Sequence, residues 1–407
     1  MSWEQLIGQK PARTYLQAAL AGGRLAHAFL FAGPAGVGKR TAAYIFAQTV
    51  MCHQRPPTGI QPCGDCKSCR WFAARQGALI EHPDFISLLH PPKGDKGVEK
   101  LVGDHEPMIK LETVQHFCEK LYRSPMAGSR RVLIIPEAQR LCKGQSESAN
   151  AFLKTLEEPP HSALIIMTTS HPEGLIETIT SRVQLVQFKR LSADEIREGL
   201  KRITKKGDED LATAAMLADG SLGRGLELLG GDLKTWRSGV VRTLSEIQPR
   251  NALAFGIGLW TVADMEGKRL FAQKEAAGKT EADEEESDDS GGDDGASDEQ
   301  VKTEAGWKRY VFRRLLELVE VSFRDALVVA SSGDLSQAQP LLLQPDQQKL
   351  SQTLAHRFGD EGCQQVLLAI QEALEAVQLY VRGDVVGRAL AGKMADCMIS
   401  PLVPGRP

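Results

Sequence analysis

The fold class the sequence predicts is an α/β core built around a phosphate-binding loop, followed by helical regions. Three observations predict it. GPAGVGKR at Gly33–Arg40 approaches the loop pattern G-x-x-x-x-G-K-[ST]. The preceding HAFLFA, His27–Ala32, reads as a buried strand, and Thr41–Val50 as the helix behind the loop. Further on, Val132–Ile135 is an apolar, β-branched run suited to a central strand of a parallel sheet.

The loop is almost complete. Gly33, Gly36, Gly38 and Lys39 stand where backbone N–H groups and an ammonium would cradle phosphates at a helix N-terminus. The next side chain should carry a hydroxyl for Mg²⁺. It is Arg40, a fixed cation with no lone pair for a metal. Thr41 has its hydroxyl one place late, turned about 100° around the helix.

The second strand repeats the defect. It should end in an acidic pair whose Asp binds Mg²⁺, but it ends Pro136-Glu137. Glu137 keeps the carboxylate that would polarise water, while Pro136 offers no ligand. Two losses together argue that hydrolysis at this site is not selected for. ATP or ADP binding without turnover is still open to such a loop.

Cysteine spacing gives a separate signal. Cys63, Cys66 and Cys69 recur at every third position, and Cys52 lies upstream. Four thiolates so spaced can wrap a tetrahedral Zn²⁺, with turns eased by Pro62 and Gly64. An iron–sulfur cluster and unligated thiols are the other readings. Against the former, no Cys-Pro follows at the ferredoxin spacing. A four-thiolate site would be closed, hence structural. His53 reads as a surface histidine, and Cys118, Cys142, Cys363 and Cys397 as scattered reduced thiols.

ANAFLKTLEEPP at Ala149–Pro160, LIIMTTS at Leu164–Ser170 and TSRV at Thr180–Val183 then occur in an order that identifies a family. With IGQ at Ile7–Gln9 and RLAHAFLF at Arg24–Phe31, they resemble the AAA+ subunits of bacterial DNA polymerase III clamp loaders. The resemblance is tight to about Leu229 and loose beyond. In that family the tau/gamma subunits keep intact ATPase motifs, and the eroded motifs here are similar to its delta-prime branch.

The resemblance implies an AAA+ core at 1–190 with a zinc module inserted at about 52–85. It implies a small helical lid at 191–231 and an all-α collar at 232–407 through which subunits oligomerise. It also implies partners: tau/gamma and delta subunits, and through them the sliding clamp and primer-template DNA. Arg182 would be an arginine finger reaching a neighbour's ATP, although Val183 stands where many relatives have cysteine. A salt-bridged or capping arginine is the plainer alternative. Arg224, within GSLGRGLEL, matches the segment that places an arginine on phosphate, and an ordinary surface arginine is equally open. Thr168 and Thr169 match a sensor position or are simply strand residues.

Composition excludes other classes. The longest apolar runs fall far short of a membrane span, and MSWEQLIGQK lacks a signal pattern, so a cytoplasmic protein is expected. Net charge is −3, yet Glu281–Glu304 holds twelve acidic residues against Lys302. This low-apolar stretch, at about 276–305, is expected to be a disordered acidic insertion. The remaining chain is mildly basic, as suits work beside DNA. Nothing resembles a polymerase site with clustered metal carboxylates. Ser192 with Glu195 predicts a capping box opening a helix. Helical stripes are predicted over Trp307–Ala330 and Cys363–Val381. A self-hydrolysing tau/gamma-like motor and a free-standing P-loop ATPase are the competing functions.

Overall fold

A computed structural model describes residues 2–22, 25–56, 58–73, 82–88, 109–142, 147–229, 233–284, 303–332 and 338–398. The chain divides into two compact units, 1–199 with 220–223, and 200–219 with 224–407.

The first unit is a five-stranded parallel sheet. Its strands are β1 (Ala28–Ala32), β2 (Phe85–Ser87), β3 (Arg131–Ile135), β4 (Ala163–Thr169) and β5 (Gln184–Gln187), in the order β2-β3-β4-β1-β5. Parallel pairing requires a crossover after each strand. Described helices of this unit are α1 (Lys10–Ala21), α2 (Lys39–Met51), α3 (Lys67–Ala73), α4 (Leu111–Tyr122), α5 (Glu147–Glu157) and α6 (Glu177–Thr180).

Strand alternation builds a core on each face. Phe29, Phe31, Val132, Ile134, Leu164 and Ile166 join side chains of α1 and α2 in one cluster. Leu30, Leu133, Ile135, Ile165 and Met167 join α4 and α5 in the other. The interior strands are therefore apolar at successive positions, as a sheet covered on both sides requires. Register places Phe31 beside Thr168 and Ile135 beside Met167, so the loops leaving β1, β3 and β4 emerge along one edge.

Helix α7 (Ala193–Ile203) opens with the expected capping box. The Glu195 N–H donates to Ser192 Oγ at 3.2 Å, and the Ser192 N–H to Glu195 Oε2 at 2.9 Å. Residues of the segment 191–231 group with both units. Residues 220–223 return to the first, where the Leu191 N–H donates to the Gly220 carbonyl at 2.9 Å.

The second unit is helical: α8 (Asp208–Leu217), α9 (Leu222–Leu229, shared at its first turn), α10 (Leu233–Ser245), α11 (Ala252–Glu284), α12 (Glu304–Ser332), α13 (Gln348–Gln378) and α14 (Gly383–Cys397). Helix α13 is interrupted at Gly359, where φ is 65°. The predicted α12 stripe is internal: Val311, Leu315, Leu318 and Phe323 are buried. Phe323 meets Phe358 edge-on at 4.9 Å, and Trp260 meets Phe312 at 5.4 Å. Helices α11 and α14 cross at Gly256 and Gly387, where a Cβ on Gly256 would lie 2.1 Å from the Gly387 carbonyl oxygen.

One boundary differs from expectation. Helix α11 runs to Glu284, past residue 276 where the acidic insertion was expected to begin. Its last residues, AAGKTEADE, are rich in helix formers that outweigh the charge. Residues 285–302, the bulk of that insertion, lie outside the described residues. No described helix is long and apolar enough to cross a membrane.

Candidate functional site

The loop after β1 has the curled backbone its glycines predict. Gly33, Gly36 and Gly38 have φ of 153°, 69° and 96°. A Cβ at Gly36 would lie 2.2 Å from Ser221 Oγ, so glycine is required there by both space and conformation. The Gly223 N–H donates to the Gly36 carbonyl at 2.9 Å.

Lys39 begins α2 and is buried. Its ammonium donates to the carbonyls of Gly33 and Pro34, each at 2.6 Å, and to Ser170 Oγ at 3.2 Å. Burial pushes the Lys39 pKa down, and the Glu137 carboxylate partly offsets this. Glu137, just beyond β3, has a left-handed backbone with φ of 46°. Its carboxylate accepts from Gln139 Nε2 at 2.6 Å and from Ser170 Oγ at 3.3 Å. Thr169 Oγ1 donates to Gln139 Oε1 at 2.6 Å. Lys39, Ser170, Glu137, Gln139 and Thr169 thus form one polar network across the ends of three strands. The sequence pointed to Lys39 and Glu137 together, and Thr169 belongs with them. Ser170 and Gln139 were not singled out, although Ser170 ends the quoted LIIMTTS segment.

The two substituted positions offer no side-chain oxygen to a metal. The Arg40 guanidinium lies over the Tyr44 ring, 5.6 Å from its centroid. Pro136 is buried at the end of β3.

The four cysteines converge. The Sγ atoms of Cys52, Cys63, Cys66 and Cys69 all lie within 4.8 Å of one another. Cys52 and Cys66 are 3.9 Å apart, as are Cys63 and Cys69. A tetrahedral zinc with Zn–S of about 2.3 Å needs S···S separations of about 3.8 Å, so the donor set fits. Backbone N–H groups aim at the sulfurs: Cys63 to Cys52 at 3.3 Å, Cys66 to Cys63 at 3.3 Å and Cys69 to Cys66 at 3.4 Å. Burial works to raise the Cys66 thiol, but N–H donors from Cys69 and His53 and the neighbouring thiols outweigh it and bring it to about 6. Burial raises Cys52 and Cys69.

The cluster is bolted to the sheet by neighbours the sequence did not flag. Phe72 of α3 meets Phe85 of β2 edge-on at 5.3 Å. Ser68 Oγ lies 3.0 Å from His82 Nε2, and the Asp84 N–H donates to His82 Nδ1 at 3.1 Å. The buried Asp84 carboxylate accepts from the N–H groups of Met126, Ala127 and Gly128 at 2.7–3.2 Å and faces Arg131 at 3.6 Å. Because Asp84 serves that loop and Ser68 is buried, this Ser-His-Asp set is scaffolding rather than a nucleophile.

Arg182 follows α6. Its Nη1 donates to the Thr178 carbonyl at 2.9 Å, and its Nη2 to Glu157 Oε1 at 2.8 Å. Arg224 belongs to the second unit, where it faces Glu320 of α12 at 3.8 Å. Burial raises the Glu320 carboxyl, and Arg224 partly offsets this.

Comparison with known proteins places these features in context. Residues 8–192 match the family model described as DNA polymerase III, delta subunit. The chain is 32% identical over 232 residues to the DNA polymerase III subunit tau of Bacillus subtilis, covering 56% of this chain and 37% of that protein. It is 29% identical over 291 residues to the subunit tau of Escherichia coli, covering 68% and 41% respectively. The chain thus spans about two fifths of the length of these curated relatives. Among solved structures, a DNA polymerase III gamma subunit-related protein of Thermotoga maritima aligns over 94% of this chain and 99% of that one. Its identity is 16% and its TM-score 0.41.

Proposed function

We propose, from the premise that this chain is a relative of the DNA polymerase III clamp-loader subunits tau and gamma, that it is the delta-prime type of subunit. In this reading it is an AAA+ protein with a structural zinc module, a helical lid and a collar. It joins tau/gamma and delta subunits in the cytoplasm, in a complex that places a sliding clamp on primer-template DNA. It does not hydrolyse ATP; Arg182 acts in trans on a neighbour's nucleotide, where a guanidinium can stabilise charge on the transferred phosphoryl group.

One observation carries the choice of branch. The loop retains its curled glycines and buried Lys39, while Arg40 lies over Tyr44 and Pro136 is buried. The chain therefore keeps a phosphate-shaped loop without either side-chain oxygen that would hold Mg²⁺. ATP or ADP could bind through Gly33–Lys39, weakly, since the ammonium is already satisfied by Gly33, Pro34 and Ser170.

The second reading is a tau/gamma-like motor, favoured by the identity to tau. The test is purification of this chain alone and with the organism's tau/gamma and delta subunits. The expected result is no ATPase activity alone and stable incorporation into the complex. Magnesium-dependent turnover by the isolated chain, lost on Lys39→Ala, establishes the motor reading. Failure to associate with any clamp-loader subunit removes both.

A further inference from the structure

We infer that Gln9 is the positioning residue of the phosphate-binding loop: its buried side-chain amide ties that loop to the backbone just beyond β5. The consequence for nucleotide rests on reading Gly33–Lys39 as a degenerate nucleotide loop; the positioning itself does not.

Gln9 is only 6% exposed, and every polar atom of its amide is used. Oε1 accepts from the Lys189 N–H at 3.0 Å. Nε2 donates to the Lys189 carbonyl at 2.6 Å and to the Val37 carbonyl at 3.4 Å. The side chain therefore imitates a peptide group, pairing both backbone groups of Lys189 as a neighbouring strand would. Its second N–H is left for the loop. Only a primary amide carries this combination of one acceptor and two donors.

The backbone is set to deliver it. Gly8 and Gln9 are both left-handed, with φ of 61° and 51°. Such a φ is uncommon for a residue with a Cβ. The Gln9 carbonyl accepts from the Arg13 N–H at 2.9 Å and so opens α1, which fixes the direction of the side chain.

Lys189 is a useful anchor because of its neighbour. The Phe188 N–H donates to the Ala32 carbonyl at 2.7 Å, and a Cβ at Gly33 would lie 2.3 Å from the Phe188 carbonyl oxygen. Gln9 thus grips the segment that confines the start of the loop and also touches its later part at Val37. These protein contacts hold the loop at both its start and its later part.

The test uses the full chain with Gln9→Glu, which keeps the acceptor and loses both donors, and Gln9→Met, which loses all three groups. Amide exchange across 35–39 and labelling of the Lys39 amine are measured, alongside binding of fluorescent ADP. Both variants are expected to speed loop exchange about tenfold and raise Lys39 labelling, since both lose the donations to the Val37 and Lys189 carbonyls and Gln9→Met also loses the acceptor for the Lys189 N–H. Exchange in β3 and α12 should be unchanged. Unaltered loop exchange and labelling, or loosening spread evenly over the sheet, overturns the inference. If the unmodified chain binds ADP, both variants should bind it about tenfold more weakly; unchanged affinity also counts against Gln9. If the unmodified chain binds no ADP, the nucleotide reading of the loop fails, and exchange and labelling alone decide Gln9.

Discussion

The guanidinium of Arg182 meets the carboxylate of Glu157 at 2.8 Å, joining the TSRV segment to the acidic end of α5. Both side chains are substantially exposed, 36% and 50%. Such a pair holds a direction without contributing much stability. The same arginine can therefore be presented to a neighbour at little cost.

Arg182→Ala should leave folding and assembly nearly intact, with a stability change below about 1 kcal/mol. It should lower ATP hydrolysis by the assembled complex, because a neighbour's phosphates lose a positioned cation. The loss should be partial if several motor subunits fire, since only one interface of the complex would contain this arginine. Arg182→Lys should rescue poorly for want of a planar fork. The readout is DNA- and clamp-stimulated ATPase of reconstituted complexes. Unaltered rates in a fully assembled Arg182→Ala complex would leave this residue a purely structural role.

Zinc gives a compositional prediction. The four sulfurs, two pairs of them 3.9 Å apart, should hold one zinc per chain by elemental analysis. Cys66→Ser should lose it and loosen the segment from Cys52 to Cys69. The sheet should survive, because Phe72 on Phe85 and Asp84 on Arg131 do not need the metal. Native protein without zinc, and with four freely reactive thiols at these positions, would refute the assignment.

His82 predicts an acid-sensitive stability. It is 3% exposed, and its Nδ1 accepts from the Asp84 N–H, which leaves the ring proton on Nε2 towards Ser68. Burial, opposed by Asp84, brings its pKa down to about 4. As pH falls, the unfolded chain takes this proton first, near about 6.5. The stabilisation is therefore complete above about 6.5 and is lost as pH falls from there towards about 4, by at most about 3 kcal/mol. Urea unfolding at a series of pH values, with zinc in excess, should show a shallower acid decline for His82→Gln than for the unmodified chain. Parallel profiles would mean that His82 does not titrate as its surroundings imply.

Much of this was legible from local pattern. The strands are short apolar runs, the glycines of the loop need left-handed φ, and cysteines at every third position can converge within one turn of chain. Ser192 and Glu195 meet because three residues separate them in a helix start. The rest depended on contacts with no local period. Lys39 and Ser170 are 131 residues apart, and Gln9 and Lys189 180 apart. A buried carboxylate such as Asp84 reads in sequence as a turn residue until the loop at Met126–Gly128 closes on it. The helix through Glu284 was hidden for another reason: its helix formers run without a break into the acidic, low-apolar stretch, so composition marks no boundary there.

The last prediction concerns what would restore a metal site. Arg40 lies over Tyr44, and Pro136 is buried after β3, so two independent losses stand between this loop and Mg²⁺. The isolated chain should show no ATPase activity above background. Arg40→Thr supplies one hydroxyl but leaves the β3 end without a ligand, so it should not restore turnover. Pro136→Asp alone should fail for the converse reason. Only Arg40→Thr with Pro136→Asp should make ATP binding tighter with magnesium than without it. A further condition applies, because Lys39 must leave the Gly33 and Pro34 carbonyls to meet a phosphate. Lys39→Ala in the double variant should therefore abolish the magnesium-dependent gain. Calorimetry of ATP binding with and without magnesium, across the unmodified chain and these variants, checks each step. Magnesium-dependent binding by Arg40→Thr alone would show that a ligand other than residue 136 serves the metal, and would leave Arg40 as the one loss that separates this loop from Mg²⁺.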